Sequence, residues 1–331
     1  MIFRQALVRL LDTLWREPRM ILKYYMGNES KCHDIVEPFY VFMVDGKVGH
    51  GGMFDRLKGI VSIFAVAKSL SKGFRIHFSY PFVLEKYLEP HQYDWRLQEG
   101  DLVFQYPKSR PIIAYGECYN PIRIMKDCHR QVHFYYGYDS LNIINEHFGT
   151  NYEWGELYHE LFQPTAYLQQ FIDYYKQEIG TDYLAIHTRF LNLLGDKTET
   201  AINPELPVDK RQSYMQRIVE EIQRVANNNY KRIMIASDSM TFIGFVKGKL
   251  PDVYVVPGRV KHIDTAGKTD DSENIKMFLD YYLIGNAKKV YNIVGPGMWP
   301  SAFPEYAAKI GRTEFERIVL DDKFRINEKT D

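Results

Sequence analysis

Polar and charged side chains collect at the ends of predicted strands in this chain. His187 lies near the end of the apolar run "DYLAIHT" and Arg189 follows it, Asp238 follows "KRIMIAS", and Ser301 comes after "KKVYNIV" and a short loop. In open parallel sheets, ligands bind beyond the carboxyl ends of the strands. Arginine forks, hydroxyls and backbone N–H groups at helix starts all bind phosphate oxygens. The pattern therefore predicts a site for a phosphate-bearing ligand.

A glycine-rich stretch, "VGHGGMFDRLKGI", follows the predicted strand "FYVFMV" and opens a predicted helix. Gly51 and Gly52 have no side chains, so their backbone can approach a ligand closely. Phe54, Asp55 and Arg56 stand at the start of the helix. Two simpler interpretations stay open: the glycines serve only a tight turn, and Asp55 pairs with Arg56 or caps its helix.

Sequence motifs for several other kinds of site are missing. There is no P-loop, no G-x-G-x-x-G, no G-x-S-x-G elbow and no D-x-D. The run "DCHRQVH" places His129 and His133 four residues apart, beside Asp127 and Cys128. A zinc site needs a further ligand, and no nearby motif supplies one. We therefore predict no metal site.

Short apolar runs alternate with longer amphipathic runs along the chain. This repeated strand-then-helix order predicts an α/β fold with doubly wound parallel sheets. Two such series, near residues 39–90 and 180–311, predict two Rossmann-like domains, and we place them at residues 1–165 and 166–331.

The pattern also predicts individual elements. "SLNIINEHFG" predicts a helix that ends at Gly149, and "PFVLEKYLEP" predicts a helix ended by Pro90. "DLVFQY" predicts a strand. "PSAFPEYAAKIG" predicts a helix with Pro300 at its start and Gly311 after its end.

Composition excludes some classes of protein. Lys and Arg total 42, as do Asp and Glu, and this balance argues against a nucleic-acid-binding protein. Three cysteines are too few for a disulfide framework, which indicates a reducing, cytoplasmic setting. No run approaches the ~20 apolar residues of a membrane span. Residues 1–25 predict an amphipathic helix with a basic excess; an ordinary surface helix is favoured over an interfacial one on the inner face of a membrane.

Three sequence blocks resemble the GDP-fucose-dependent fucosyltransferase superfamily. "AIHTRF" resembles its H-x-R motif, "IKMFLDYYLIGNAKKVYNIVGPGMWPSAFPEYAAKIG" its last motif block, and "GHGGMFDRLKGI" its N-terminal glycine-rich loop. Members include α-1,2-, α-1,6-, nodulation and protein O-fucosyltransferases. The blocks occur in the family's order between Val41 and Gly311.

The resemblance implies a GT-B fold, in which two Rossmann-like domains face a cleft and the C-terminal one holds the nucleotide sugar. It also implies an inverting, metal-independent enzyme that uses GDP-fucose as donor substrate and has no cofactor. The acceptor would be a glycan, with a lipid-linked precursor as one candidate. Two alternatives stay open: a GT-B enzyme that uses another nucleotide sugar, and a nucleotide-sugar-binding protein without turnover.

The resemblance assigns roles to individual residues. Arg189 matches the Arg that holds the diphosphate, His187 the motif His beside the nucleotide, Asp280 the acid that pairs with guanine, and Ser301 the hydroxyl on phosphate. Gly51, Gly52 and Phe54 fall in the loop that closes over the nucleotide, and we add Asp238 to the nucleotide site. Simpler interpretations stay open: Arg189 is a surface arginine, His187 a strand histidine, Asp280 an exposed helix acid and Ser301 a helix cap.

The sequence also departs from the family pattern. Phe190 replaces the second motif Arg, and Pro300 stands where a second Ser is usual. An inverting reaction needs a base to take the proton of the acceptor hydroxyl. Asp55 and Asp196 are the candidates.

Overall fold

The computed structural model describes residues 15–26, 38–106, 108–114, 121–124, 131–196, 205–226, 232–259 and 270–321. The chain divides into two compact units, Met1–Gln163 and Pro164–Asp331. The division falls two residues before the predicted boundary.

The first unit is built on a parallel sheet. Its strands are β1 (Phe39–Val44), β2 (Gly73–Phe78), β3 (Leu88–Pro90), β4 (Ser109–Ala114), β5 (Gln131–Tyr136) and β6 (Phe162–Pro164). Its helices are α1 (Met53–Ser69), α2 (Pro121–Ile124), α3 (Leu141–Phe148) and α4 (Trp154–Leu161), and residues 15–25 are helical ahead of them. The main sheet has the order β2-β1-β5-β4, and β3 pairs with β6.

Helix α1 lies very close to this sheet. Most residues of this helix are apolar and buried. A Cβ at Gly59 would lie only 2.3 Å from the carbonyl oxygen of Tyr136. The glycine therefore lets the helix backbone approach the end of β5, and it fixes how the start of α1 sits beside the strand ends.

The second unit has a five-stranded parallel sheet. Its strands are β7 (Tyr183–Thr188), β8 (Arg232–Ser237), β9 (Val253–Tyr254), β10 (Lys289–Val294) and β11 (Glu314–Val319). Its helices are α5 (Ala166–Ile179), α6 (Val208–Ala226), α7 (Met240–Lys249), α8 (Asp271–Gly285) and α9 (Phe303–Gly311). The order β11-β10-β7-β8-β9 reverses direction between β7 and β10. Such a reversal is the switch point at which open α/β sheets bind ligands.

Strand β7 is buried on both faces, as parallel strands between helical layers are. Leu184 and Ile186 pack in a core with residues of α6 and α7. On the other face, the Tyr183 hydroxyl donates to the carbonyl of Leu283 in α8 at 2.5 Å. His187 continues that second face at the end of the strand.

The prediction of an α/β fold with two Rossmann-like, parallel-sheet units is confirmed. Helix α3 ends as predicted, because Gly149 adopts φ +65° there. The predicted helix over "PFVLEKYLEP" is wrong: only a 3₁₀ turn forms at Leu84–Lys86, and β3 follows. Its partner strand, β6, lies far along the chain, so the local pattern could not reveal the pairing.

Two further predictions need correction. "DLVFQY" is not a strand; the Gln131 side chain holds this segment by donating to the carbonyl of Asp101 (2.7 Å) and accepting from the N–H of Val103 (2.9 Å). The helix predicted from Pro300 begins at Phe303, with Pro304 in its first turn, and Gly311 is its last residue.

Candidate functional site

The switch point of the second unit brings together the ends of β7 and β10. Asn292 of β10 donates from Nδ2 to the carbonyl oxygen of His187 at 3.1 Å. In the loop after β10, the N–H of Trp299 donates to the carbonyl oxygen of Arg189 at 3.0 Å. These two bonds hold the H-x-R segment against the last motif block, so the two resembling blocks lie side by side.

His187 is buried, with 8% of its surface exposed, and its ring stacks on that of Phe303 with centroids 5.3 Å apart. Burial, together with the charges of Arg189, Lys276 and Arg317, lowers the pKa of His187 to about 3. The imidazole is therefore neutral at physiological pH. Three cationic side chains thus act on a neutral ring at the switch point.

Asp238 shapes the loop that carries Arg189. Its Oδ1 and Oδ2 accept from the N–H groups of Phe190 and Leu191, each at 2.8 Å. Leu191 has φ +54°, which a leucine adopts only when its surroundings impose it. The geometry gives Asp238 a positioning role, and its predicted contact with nucleotide stays a prediction. Phe190, which replaces the second motif Arg, is completely buried in the core.

Asp196, in the segment after β7, contacts the start of α7. It accepts from the Ser239 hydroxyl, from the N–H of Thr241 at 3.1 Å and from the Thr241 hydroxyl at 2.8 Å. These contacts make Asp196 a cap of that helix. Its predicted role as base stays a prediction.

Asp280 is buried within α8, with 4% of its surface exposed, so it is not an exposed helix residue. Its Oδ2 forms an ion pair with Lys276, and its Oδ1 has no hydrogen-bond partner among the described residues. Burial raises the pKa of Asp280, and the charge and hydrogen bond of Lys276 oppose that rise.

Ser301 is buried just before α9. Its hydroxyl accepts from the N–H of Phe303 at 3.3 Å, and its carbonyl oxygen accepts from Arg317 at 3.2 Å. Arg317 also donates from Nε to Asn292 at 3.0 Å. The structure thus supports a capping role for Ser301, while its predicted phosphate contact stays a prediction.

Sequence reasoning missed Lys276 and Arg317. The only signal for Lys276 was a lysine among apolar residues four positions before Asp280. Arg317 belongs to β11, which the pattern did not predict at all, so nothing in the sequence linked it to the site.

The glycine-rich stretch in the first unit is held by its own helix. Gly51 adopts φ +68°, whereas Gly52 has an ordinary φ of −64°. Asp55 accepts from the N–H of Gly52 at 3.3 Å and forms an ion pair with Lys58 at 2.7 Å, so it caps α1. Phe54, beside it, is half-buried.

Arg56 is almost completely buried, and its guanidinium bonds to main-chain oxygens. It donates to the carbonyl oxygens of Gly51 at 3.0 Å and Tyr80 at 2.8 Å. This side chain ties the glycine-rich stretch to the segment after β2. Of the two simpler interpretations of Asp55, the helix-capping one has direct support from the bond to Gly52.

A polar cluster at the end of β1 adjoins this stretch and was not predicted. Asp45 accepts from the Tyr135 hydroxyl and from the N–H of Lys47, both at 3.0 Å. His50 accepts from the N–H of Gly46 at 2.9 Å. Burial and the charge of Arg56 lower the pKa of His50 to about 4. The cluster fixes the chain that leads into the glycines.

Of the four residues considered for a metal site, the structure describes His133. His133 is completely buried in β5, where Tyr25 and Gln131 occupy its two ring nitrogens at 2.5 Å each. Asp127, Cys128 and His129 lie outside the described residues. Within the described part of the chain, no group of three or more His, Cys, Asp or Glu side chains could hold a metal ion.

Known proteins resemble this chain in fold. No family model matches the sequence, and no curated protein matches it either. A variant of FUT1 from Arabidopsis thaliana, solved with GDP, has a TM-score of 0.56 at 9% identity over 95% of this chain and 76% of that one. NodZ alpha-1,6-fucosyltransferase soaked with GDP-fucose has a TM-score of 0.54 at 14% identity, covering 87% and 97%.

A further structure, selenomethionine NodZ from Bradyrhizobium, has a TM-score of 0.55 at 14% identity, over 87% of this chain and 96% of that one. At such low identities the likeness concerns the fold alone. The resemblance inferred from the sequence is confirmed at that level: this chain has the fold of GDP-fucose-dependent fucosyltransferases.

Proposed function

We propose that this protein is an inverting, metal-independent fucosyltransferase that moves L-fucose from GDP-fucose to a glycan acceptor. The observation that carries the proposal is the switch point of the second unit, where Arg189 and a neutral His187 meet the last motif block. Support also comes from FUT1 and NodZ, which share the fold and were solved with GDP or soaked with GDP-fucose.

The residue chemistry suits departure of a nucleoside diphosphate. As the bond to fucose breaks, negative charge develops on the diphosphate, and a preorganised cation stabilises it. Arg189 would supply a bidentate fork to the phosphate oxygens. Its loop is fixed by Asp238 and by the Trp299 N–H, so little reorganisation is needed when the charge appears. A neutral His187 can hydrogen-bond to the nucleotide without adding charge.

Asp280 would recognise the base. Guanine presents its N1–H and 2-amino groups side by side, and a carboxylate can accept from both. The Oδ1 of Asp280 has no partner among the described residues, as expected of an acceptor kept for a ligand.

A panel of nucleotides tests the donor assignment. Binding to the folded state raises the melting temperature, so GDP and GDP-fucose should raise it and UDP and ADP should not. Equal shifts with UDP and GDP would favour another nucleotide sugar.

A turnover assay tests metal independence. With GDP-fucose as substrate, GDP release should survive EDTA, and a loss of activity restored by Mg²⁺ or Mn²⁺ would refute metal independence. Binding without any GDP release, with glycans supplied, would favour a binding protein.

The acceptor, the cytoplasmic location and the membrane contact through residues 1–25 stay predictions. In the described part of that segment, Trp15 and Leu22 are exposed, alongside Arg19 and Lys23. None of the helices in the described ranges is long and apolar enough to cross a membrane. Co-sedimentation with anionic vesicles tests the peripheral contact, which a Trp15→Ser, Leu22→Ser variant should weaken.

A further inference from the structure

Lys276 and Asp280 form an ion pair on α8 that helix stability does not explain. Both side chains are nearly buried, with 5% and 6% of their surface exposed. Burying two charges costs about as much free energy as their attraction returns, so such pairs add little stability. The order is also unfavourable, because at this spacing an acid stabilises a helix better when it precedes the base.

The pair leaves part of its carboxylate unused. Oδ2 of Asp280 accepts from Lys276, while Oδ1 has no partner among the residues that the structure describes. An unsatisfied buried acceptor is costly and needs an explanation. A ligand that brings hydrogen-bond donors to Oδ1 would provide one.

Lys276 is held in place by a second element. Gly258, in the loop after β9, adopts φ +115°, and a Cβ there would lie 3.4 Å from Cδ of Lys276. The lysine stem therefore packs against this loop. It also borders a pocket of about 80 Å³, together with Ser237 and Lys247.

The charge of Lys276 also acts outside the pair. Together with Arg189 after β7 and Arg317 of β11, it lowers the pKa of the neutral His187. Lys276 is the charged group that acts on Asp280 itself, and it opposes the rise in the pKa of Asp280 that burial causes.

We propose that Lys276 determines the nucleobase specificity of the donor site by keeping the buried Asp280 carboxylate ionised, so that it can accept from the N1–H and 2-amino groups of guanine. This inference rests on the proposed function. A neutral carboxyl group carries a hydroxyl hydrogen, which would face the donor edge of guanine and weaken binding. Lys276 is thus a positioning and charge-setting residue that need not touch the base.

Calorimetric binding of GDP and IDP tests the proposal, because IDP has the same diphosphate and lacks the 2-amino group. The wild type should prefer GDP by about 10-fold or more at both about pH 6 and about pH 8. Lys276→Met removes the charge that opposes the rise in the pKa of Asp280 caused by burial. The variant should therefore lose the preference for GDP more strongly at the lower pH than at the higher pH.

Two variants serve as controls for charge and location. Lys276→Arg keeps the cation and should keep the GDP preference at both pH values. Lys247→Met removes an exposed lysine that borders the same pocket, and it should behave like the wild type. If Lys276→Met does not fold, the Lys276→Met, Asp280→Asn variant avoids an uncompensated buried charge. That variant should bind GDP and IDP equally at both pH values.

The proposal is overturned if Lys276→Met keeps the wild-type ratio of GDP to IDP affinity at both pH values, or if the folded double variant still prefers GDP. Failure of the proposed function has a different signature. In that case the wild type itself would bind neither GDP nor GDP-fucose, or would bind UDP as tightly.

Discussion

The two carboxylates predicted as candidate bases have very different surroundings. Asp196 accepts from three donors at the start of α7, so its lone pairs are largely used. The Asp55 side chain is 46% exposed, accepts from Gly52 at 3.3 Å and pairs with Lys58. A general base needs an accessible lone pair for the substrate proton. At the residue scale, Asp55 therefore has the capacity for proton transfer and Asp196 has the contacts of a helix cap.

Substitution of each acid should separate these roles. Asp55→Asn should lower the rate of GDP release from GDP-fucose at least ~100-fold, because the amide cannot take a proton. Its melting temperature should change little, since the amide oxygen can still accept from Gly52. Asp196→Ala should lose its capping bonds and about 1 kcal/mol of unfolding free energy, while turnover of the folded protein stays within a few-fold. An inactive Asp196→Ala beside an active Asp55→Asn would reverse the assignment.

At the scale of elements, the sequence was most informative where one local pattern decides the structure. β7, β10 and α3 were predicted because short, largely apolar runs and a terminal glycine leave few alternatives. β4 was missed because Pro111 lies inside it. Proline lacks the N–H that a central strand donates, and β4 tolerates it as the edge strand of its sheet.

The strand-end rule found Arg189 and His187 for a related reason. Once the strands are known, the chemistry must lie at their carboxyl ends. The rule could not show that Asp238 is engaged by the backbone of Phe190 and Leu191, or that Lys276 pairs with Asp280. Those contacts depend on loop conformation and on the packing of α8, which no local sequence pattern encodes.

The crossing of α8 and α9 depends on glycine. A Cβ at Gly311 would lie 1.7 Å from the carbonyl oxygen of Gly285, and one at Gly285 would lie 2.6 Å from that of Ala307. These two helices carry Lys276, Asp280 and, just before α9, Ser301. Their close approach therefore determines the positions of several candidate site residues at once.

Gly311→Ala should lower the free energy of unfolding by about 1–3 kcal/mol, since the methyl group collides with backbone that cannot move independently. Gly244→Ala is the matched control. Gly244 is exposed within α7, and a Cβ there meets nothing within 4 Å. It should raise the free energy of unfolding by about 0.5–1 kcal/mol. Urea denaturation measures both changes, and a stabilising Gly311→Ala would contradict the close crossing.

At the scale of the whole molecule, both units bury neutral histidines within or just after their parallel strands. Burial, as the largest cause, lowers the pKa of His50 to about 4 and that of His133 to about 3 in the first unit. It lowers that of His187 to about 3 in the second. An unfolded histidine has a pKa near 6.5, so in each case the unfolded chain binds a proton more readily than the folded one.

This difference predicts that acid destabilises both units. The contribution of each histidine is fully present above about pH 6.5 and is lost as the pH falls toward the folded pKa values near 3 to 4. As the pH falls from about 7 to about 5, each of these histidines should lower the free energy of unfolding by about 1–2 kcal/mol. Urea denaturation at several pH values measures this loss above the range in which ordinary carboxylates titrate.

His187→Gln should flatten the pH dependence, whereas His147→Gln, at an exposed position on α3, should not. If the two variants show equal slopes, His187 takes up its proton in the folded state, and the neutral imidazole assigned to the candidate site is wrong.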